Sequence, residues 1–177
     1  LVDIVRSGRA LYVGISRWPL PALKTAIAYL DASRVPMLIY QGRYNMLDTK
    51  VHDDGILDYL SQRRKGFIAF SPLAQGLLSG RYLHGIPEDS RMTEGRFLKS
   101  DVLTPQLCAH LEAWNHLAFE RGQTLSQMAL AWVLQHSAVT SVLVGVSSKE
   151  QLAQNIRSLT SAPFTEEELQ CLTYSHK

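Results

Sequence analysis

The feature that most constrains this sequence is a fourfold alternation of a short apolar run with a stretch of helical periodicity. The runs occupy residues 10–15, 37–41, 67–71 and 142–144. Behind the first, Leu23, Ile27 and Leu30 recur at spacings of three and four; behind the second, Ile56, Leu57 and Leu60 do the same. Two helical stretches, 104–121 and 124–134, follow the third run, and Leu152 and Ile156 mark the helix after the fourth. Strands that alternate with helices run parallel, because each helix carries the chain back across the sheet. Parallel folds collect functional residues where strands end. Here those ends hold Ser16 and Arg17, Gln41, Ser71 with the loop toward Arg91, and Gly145 through Gln151. A doubly wound sheet would usually carry Gly-x-Gly-x-x-Gly after its first strand, and its absence favours a barrel. A complete (β/α)8 barrel takes about 250 residues. The expectation is therefore one partial domain over residues 1–177: four parallel strand-helix units, roughly half a TIM barrel, with a long loop after the third strand. A first residue of Leu1, not Met, suggests an incomplete or processed chain.

Punctuation sets the expected boundaries. Gly8 stops a helix covering residues 1–8, and Pro21 opens the next. Residues 51–64 read as one helix that Gly55 weakens slightly. The loop at 77–100 carries Gly80, Gly85, Pro87 and Gly95 beside Arg81, Arg91 and Arg96, so it is roomy and basic. Thr104-Pro105 is a helix start, Gly122 a stop, and Thr124 or Ser126 a restart. Ser148 followed by Gln151 has the spacing of a capping box, which predicts a helix N-terminus with anion-attracting N–H groups after the fourth strand. Glu166-Glu167-Glu168 sit in the first turn of a last helix, where its dipole favours them.

Several chemistries find no support. A net charge of +2 with Arg63-Arg64-Lys65 as the one compact basic run does not suggest nucleic acid. No window approaches the ~20 consecutive apolar residues of a membrane span, and no secretory signal is visible. Cys108 and Cys171 stand alone without a C-x-x-C, which suits a reducing cytoplasm. His110 and His116 lie six apart, on different sides of a helix, and the other histidines lack ligand spacing, so no metal site is expected. Asp53, Asp54 and Asp58 read as caps and solvated charges, and Ser79 lies outside a G-x-S-x-G frame. Trp114 and Trp132 fall in helices as core, whereas Trp18, in a strand-exit loop, is a plausible pocket wall.

The strand ends spell a wider pattern. Gly14-Ile15-Ser16-Arg17-Trp18, Gln41-x-x-Tyr44-Asn45, Phe70-Ser71-Pro72-Leu73-Ala74-Gln75-Gly76 with Ser79-Gly80-Arg81-Tyr82, and Gly145-x-Ser147-x-x-x-Gln151-x-x-x-Asn155 together resemble the aldo-keto reductases. Within that family the likeness is to bacterial glyceraldehyde-3-phosphate-type reductases and potassium-channel β subunits. The resemblance covers essentially the whole chain and implies the C-terminal half of a TIM barrel that binds NADPH. It implies that Ser16 and Gln41 hold the nicotinamide carboxamide, with Arg17 beside them, and that Phe70 stacks on the nicotinamide ring. It likewise assigns Ser71, Pro72, Leu73, Ala74 and Gln75 to the pyrophosphate loop, with Arg81 and Arg91 as cationic partners. Gly145, Ser147, Gln151, Gln154 and Asn155 match the adenosine and 2′-phosphate site, with Gln154 where a Glu is usual.

The family's catalytic Asp, Tyr, Lys and His fall before the first strand of this chain, and Tyr44 and Lys50 do not stand in for them. No catalytic residue is assigned. The expected activity is that of a cytoplasmic oxidoreductase acting on a small aldehyde or ketone, its acid-base residues lying outside this sequence. The alternative is a non-catalytic half-barrel that binds dinucleotide or a partner. Partners implied are an N-terminal half-barrel or a second copy, with no nucleic acid and no membrane.

Overall fold

The computed structural model describes residues 1–83, 85–88, 93 and 98–174. Arg91, Gly95 and Arg96 of the long loop lie outside the described residues. In chain order the elements are α1 (Val2–Arg6), β1 (Val13–Ser16), α2 (Leu20–Ala32), β2 (Met37–Arg43), α3 (Lys50–Asp53), α4 (Ile56–Gln62) and β3 (Gly66–Phe70). After the loop come α5 (Pro105–Glu120), α6 (Leu125–Leu134), β4 (Val139–Val142), α7 (Lys149–Ile156) and α8 (Glu166–Cys171). Short 3-10 turns cover Ala74–Ser79, Ser100–Val102 and Arg157–Thr160.

The four strands form one sheet in the order β1-β2-β3-β4, each pair parallel. This is the expected architecture: four parallel strands alternating with helices, the pattern of half a (β/α)8 barrel. Side chains alternate across a strand, so Ile15, Tyr40, Phe67 and Ala69 share one face. They are buried with Leu23, Ile27, Leu30, Leu57 and Leu60 from the covering helices. Ser16, Gln41 and Phe70 belong to the other face. A second core, built on Leu78, Leu111, Trp114, Leu125 and Met128, fixes the turn after β3 to α5 and α6, and Trp132 packs against both cores.

Several boundaries differ from the sequence expectation. The first strand begins at Val13, not residue 10; Leu11 is 80% exposed because it precedes the paired segment. Periodicity alone does not tell an apolar approach segment from a strand. The fourth strand covers Val139–Val142, earlier than 142–144, with Leu143 adding one further bond from its N–H to the Ala69 carbonyl at 2.8 Å. The polar Thr140 and Ser141 concealed its start, although the Phe67 N–H donates to the Thr140 hydroxyl at 3.3 Å. The second strand continues to Arg43. Residues 51–64 are two helices, because Gly55 adopts a left-handed φ of 73° and separates α3 from α4. Thr124 is the cap of α6, with Gln127 completing a capping box. Among the described residues, no helix is long and apolar enough to cross a membrane.

The His136 ring sits at the junction of α6 and β4, its centroid 5.7 Å from that of His52 and 6.2 Å from that of Tyr44. Its Nδ1 accepts the Ala138 N–H at 3.2 Å, which requires that nitrogen to be unprotonated. Burial, and secondarily the neighbouring His52, hold its pKa below the ordinary value, with Asp58 opposing. The unfolded chain therefore binds this proton more readily than the folded one. The contribution to stability is complete above the ordinary histidine pKa of about 6.5 and is lost as pH falls through the lower folded value. Thermal unfolding followed from pH 8 to pH 5 is expected to show this acid limb. It should flatten in His136→Asn, whose side-chain oxygen replaces the acceptor without titrating.

Candidate functional site

The site is assembled at the C-terminal ends of β1, β2 and β3. Ser16 and Gln41 are register partners, and the Ser16 hydroxyl donates to Gln41 Oε1 at 3.5 Å. The next residue, Arg17, turns the chain with a φ of 61°, a costly value for a residue with a Cβ, and its N–H donates to the Gln41 carbonyl at 3.0 Å. Tyr40 secures this turn from the opposite face: its hydroxyl donates to the Trp18 carbonyl at 2.9 Å. Burial raises the Tyr40 pKa, with Arg17 lowering and Asp54 raising it more weakly, so the donor stays protonated. Trp18 itself is 47% exposed beside these groups.

Arg43 and Asn45 connect the end of β2 to that of β3. The Arg43 guanidinium lies 5.9 Å from the Phe70 ring centroid and 3.8 Å from the Asp48 carboxylate. Asn45 is 1% exposed; its Nδ2 donates to the Ser71 carbonyl at 2.9 Å and its Oδ1 accepts the Leu47 N–H at the same distance. Neither residue was among the sequence-predicted site residues. The signal available for Asn45 was the Tyr-Asn pair after Gln41; for Arg43 there was none, since its role depends on where Phe70 falls across the strand pair.

The turn after β3 departs most from ordinary backbone geometry. Ser71, Ala74 and Gln75 have φ of 52°, 46° and 59°, and Gly76 follows at 101°. Together with Arg17, these place four of the six positive-φ residues other than glycine among the described residues at strand exits; Arg34 and Arg64, the other two, follow helices. Pro72 is buried, and the Ser79 hydroxyl donates to the Gly76 carbonyl at 2.6 Å, closing the turn. Gln75 Oε1 is buried with no hydrogen-bond partner among the described residues. Such a group is costly unless a donor arrives. Leu73 and Ala74 pack against the second core, and Arg81 is exposed beyond the turn.

Beyond β4 the expected capping box takes a different form. Ser148 Oγ accepts the Gln151 N–H at 3.2 Å, but Gln151 Oε1 accepts from the Ser147 N–H at 2.9 Å and the Ser147 hydroxyl at 3.2 Å. Gln151 thus braces the loop between Gly145 and Ser148 instead of the cap residue itself. Gln154 is bonded to Gln127, and the Asn155 carbonyl accepts the Ser158 hydroxyl at 2.7 Å. An open cavity of about 790 Å³ lies between the α5–α6 turn and α7; of the sequence-predicted residues it is lined by Gln154 alone.

Tyr44 is buried and T-stacked on Phe67, and burial, with Asp53 contributing, pushes its pKa up to about 12. That suits a core aromatic and not a proton donor working near neutrality. Lys50 is exposed and paired with Asp54 at 3.0 Å. Among the described residues, no group of three or more His, Cys, Asp or Glu side chains is placed to hold a metal ion.

Comparison with known proteins bears on this arrangement. The aldo/keto reductase family model matches residues 1–175. L-glyceraldehyde 3-phosphate reductases from Escherichia coli O157:H7 and Escherichia coli strain K12 are 47% and 45% identical to the chain over 173 residues. Each match takes in 96% of this chain but 50% of the relative, so the chain spans about half the length of the curated relatives it matches. The crystal structure of a thermostable aldo-keto reductase, Tm1743, with the inhibitor epalrestat superposes with a TM-score of 0.69 at 23% identity, over 96% of this chain and 50% of that one. This likeness supports the fold, and the family match identifies the family. The chain belongs to the aldo/keto reductase family.

Proposed function

We propose that this chain is the cofactor-binding half of an NADPH-dependent reductase that converts an aldehyde or ketone to an alcohol, with its acid-base residues supplied from outside residues 1–177. The observation that carries the reading is the Ser16–Gln41 pair on adjacent strand ends. A carboxamide needs both a donor and an acceptor. With the Ser16 hydroxyl resting on Gln41 Oε1, the Gln41 NH2 is left to donate, and the serine oxygen retains acceptor capacity. Phe70 offers an aromatic face on the same side of the sheet, and the positive-φ turn from Ser71 to Gln75 carries a buried amide oxygen that a ribose hydroxyl, though not a pyrophosphate oxygen, can satisfy. These residues fit a dinucleotide.

Once bound, NADPH supplies the hydride. Ser16 and Gln41 orient the carboxamide, Phe70 fixes one face of the ring, and Ser71, Pro72, Leu73, Ala74 and Gln75 shape the pyrophosphate turn. Arg81 and Arg91 add positive charge, and Arg17, Gly145, Ser147, Gln151, Gln154 and Asn155 complete the contacts. The substrate class is a small carbonyl compound, in keeping with the names of the two Escherichia coli relatives. The two free cysteines favour the cytoplasm as the setting.

Titration with NADPH, followed through tryptophan fluorescence, tests the reading. Saturable binding is expected, weakened roughly tenfold in Gln41→Leu, which removes the amide from the carboxamide site. Failure to bind NADPH, both alone and when joined to the N-terminal half of either Escherichia coli relative, would overturn it.

A second reading follows from the edges of the sheet. Among the described residues β1 and β4 each pair on one side only, and open edges invite a further strand. Eight strands close a barrel whose interior side chains can fill. The isolated chain is therefore expected to sediment as a dimer or larger species; a stable monomer at micromolar concentration would count against it.

A further inference from the structure

Among the described residues, four helices end in the same backbone turn, and they close it with two different residues. The residue after the cap donates its N–H three residues back and the next donates five back: Gly8 to Val5 and Arg9 to Ile4 after α1, Arg34 to Asp31 and Val35 to Leu30 after α2. The pattern repeats with Arg64 to Ser61 and Lys65 to Leu60 after α4, and with Gly122 to Phe119 and Gln123 to Ala118 after α5. In this arrangement the first of the two residues is left-handed and ordinarily glycine. Gly8 and Gly122 have φ of 72° and 66°; Arg34 and Arg64 have φ of 56° and 52°. An arginine at such an angle carries strain that glycine escapes. Two of the four turns close without a side chain, so the turn itself does not require the arginines. A cation near a helix C-terminus also gains from the dipole, but at α4 Arg63 and Lys65 already supply one.

The two strained arginines belong to one surface. Asp31, in the last turn of α2, holds its carboxylate 4.0 Å from Arg63 Nη2 and 3.8 Å from Lys65 Nζ, the residues on either side of Arg64. Arg6 joins from α1, its Nη2 donating to the Ser33 carbonyl at 3.4 Å. Since α2 and α4 lead into the neighbouring strands β2 and β3, this rim lies at the N-terminal edge of the sheet, away from Ser16 and Gln41. Arg6, Arg34, Arg63, Arg64 and Lys65 around Asp31 give it more net positive charge than the +2 of the whole chain. Arg34 and Arg64 are exposed, and among the described residues neither side chain has a hydrogen bond or an ion pair. The rim also shows which group it accepts, because Asp31 is a carboxylate seated between two of its cations. The guanidinium fork suits a carboxylate in bidentate fashion. A phosphate backbone, continuous in its charge, would have to cross Asp31; spaced carboxylates need not.

We propose that Arg34 and Arg64, with Arg6, Arg63 and Lys65 around them, form a docking surface for an acidic segment of a partner protein, whose carboxylates pair with the two unpartnered arginines. The surface stands apart from the cofactor reading.

The test uses the chain and a fluorescently labelled peptide of eight glutamates, followed by anisotropy at low ionic strength. Saturable binding is expected, weakened about fivefold when Arg34→Gly and Arg64→Gly are combined, the effect of losing two exposed ion pairs. Because glycine relieves both left-handed positions, the same variant is expected to melt about 4 °C higher. Arg34→Gln with Arg64→Gln removes the charge and keeps the strain, so it should lose the peptide to the same extent without the gain in melting temperature. Peptide affinity that is absent in the parent chain, or unchanged in both double variants, overturns the proposal. So does an oligothymidylate of equal charge that binds as tightly as the peptide. A lower melting temperature in the glycine variant would show that the arginines serve the helix ends, and overturns the argument from strain.

Discussion

Replacing Arg121 with alanine is expected to lower the stability of the chain by about 3 kcal/mol, at the lower end of what breaking a largely buried ion pair costs. Arg121 is the anchor of the C-terminal segment. Its guanidinium donates to both Glu168 oxygens at 2.6 Å, to the Ala162 carbonyl at 2.6 Å and to Gln123 Oε1 at 3.0 Å, and it lies 4.1 Å from the Phe164 ring centroid. The arginine side chain is 9% exposed and the glutamate 19%, so removing the cation leaves a carboxylate poorly reached by water. Urea unfolding measures the loss, and a change under 1 kcal/mol would show the bridge to be dispensable, as exposed pairs are. The pH dependence gives an independent check. Burial alone would raise the Glu168 pKa, but the Thr165 N–H and Arg121 outweigh it and hold the carboxyl low. The folded state therefore releases this proton more readily than the unfolded one. Its stabilisation is complete above the ordinary glutamate pKa of about 4.3 and is lost as pH falls through the folded value. In Arg121→Ala that acid limb should shrink. The same residue shapes a functional feature, since Arg121 and Gln123 form part of the wall of the cavity next to Gln154.

The second large effect is expected at Asn45. Asn45→Ala removes a buried donor to the Ser71 carbonyl and a buried acceptor for the Leu47 N–H. Leaving two such groups unsatisfied costs about 2–3 kcal/mol. Because Ser71 holds a φ of 52°, which persists only when its surroundings over-determine it, the turn after β3 should also relax. NADPH affinity is expected to fall about tenfold, beyond what the stability loss alone would do to a protein still mostly folded. Asn45→Asp separates the two bonds. It keeps the acceptor for Leu47 and sets a carboxylate against the Ser71 carbonyl, so it should cost the affinity even where the Leu47 bond survives. Equal affinities in all three proteins would mean that the tether has no part in the site.

The residues forming the site were legible in the sequence to different depths. Ser16, Gln41 and Ser71 could be placed because they end apolar runs, and a parallel sheet brings such ends to one edge. The exact meeting of Ser16 with Gln41 could not, since it depends on the β1–β2 register, and that register shifts between Val13 and Gly14. Gln151 was recognised as a cap residue, but its oxygen serves Ser147 and the loop. The Gln127–Gln154 contact, 27 positions along the chain, likewise left no mark in the sequence.

What the sequence by itself determined was the alternation of strands and helices, their parallel sense, the family, and the strand exits as the place where polar residues converge. These follow from periodicity and from local punctuation by glycine, proline and capping residues, which act over a few residues at a time. Only the tertiary structure decided the strand limits, the division of α3 from α4, the Asn45 tether, and the direction in which each amide faces. Those depend on partners distant in sequence. The free energy of a buried hydrogen bond belongs to the pair, so neither member carries a readable sign of it alone.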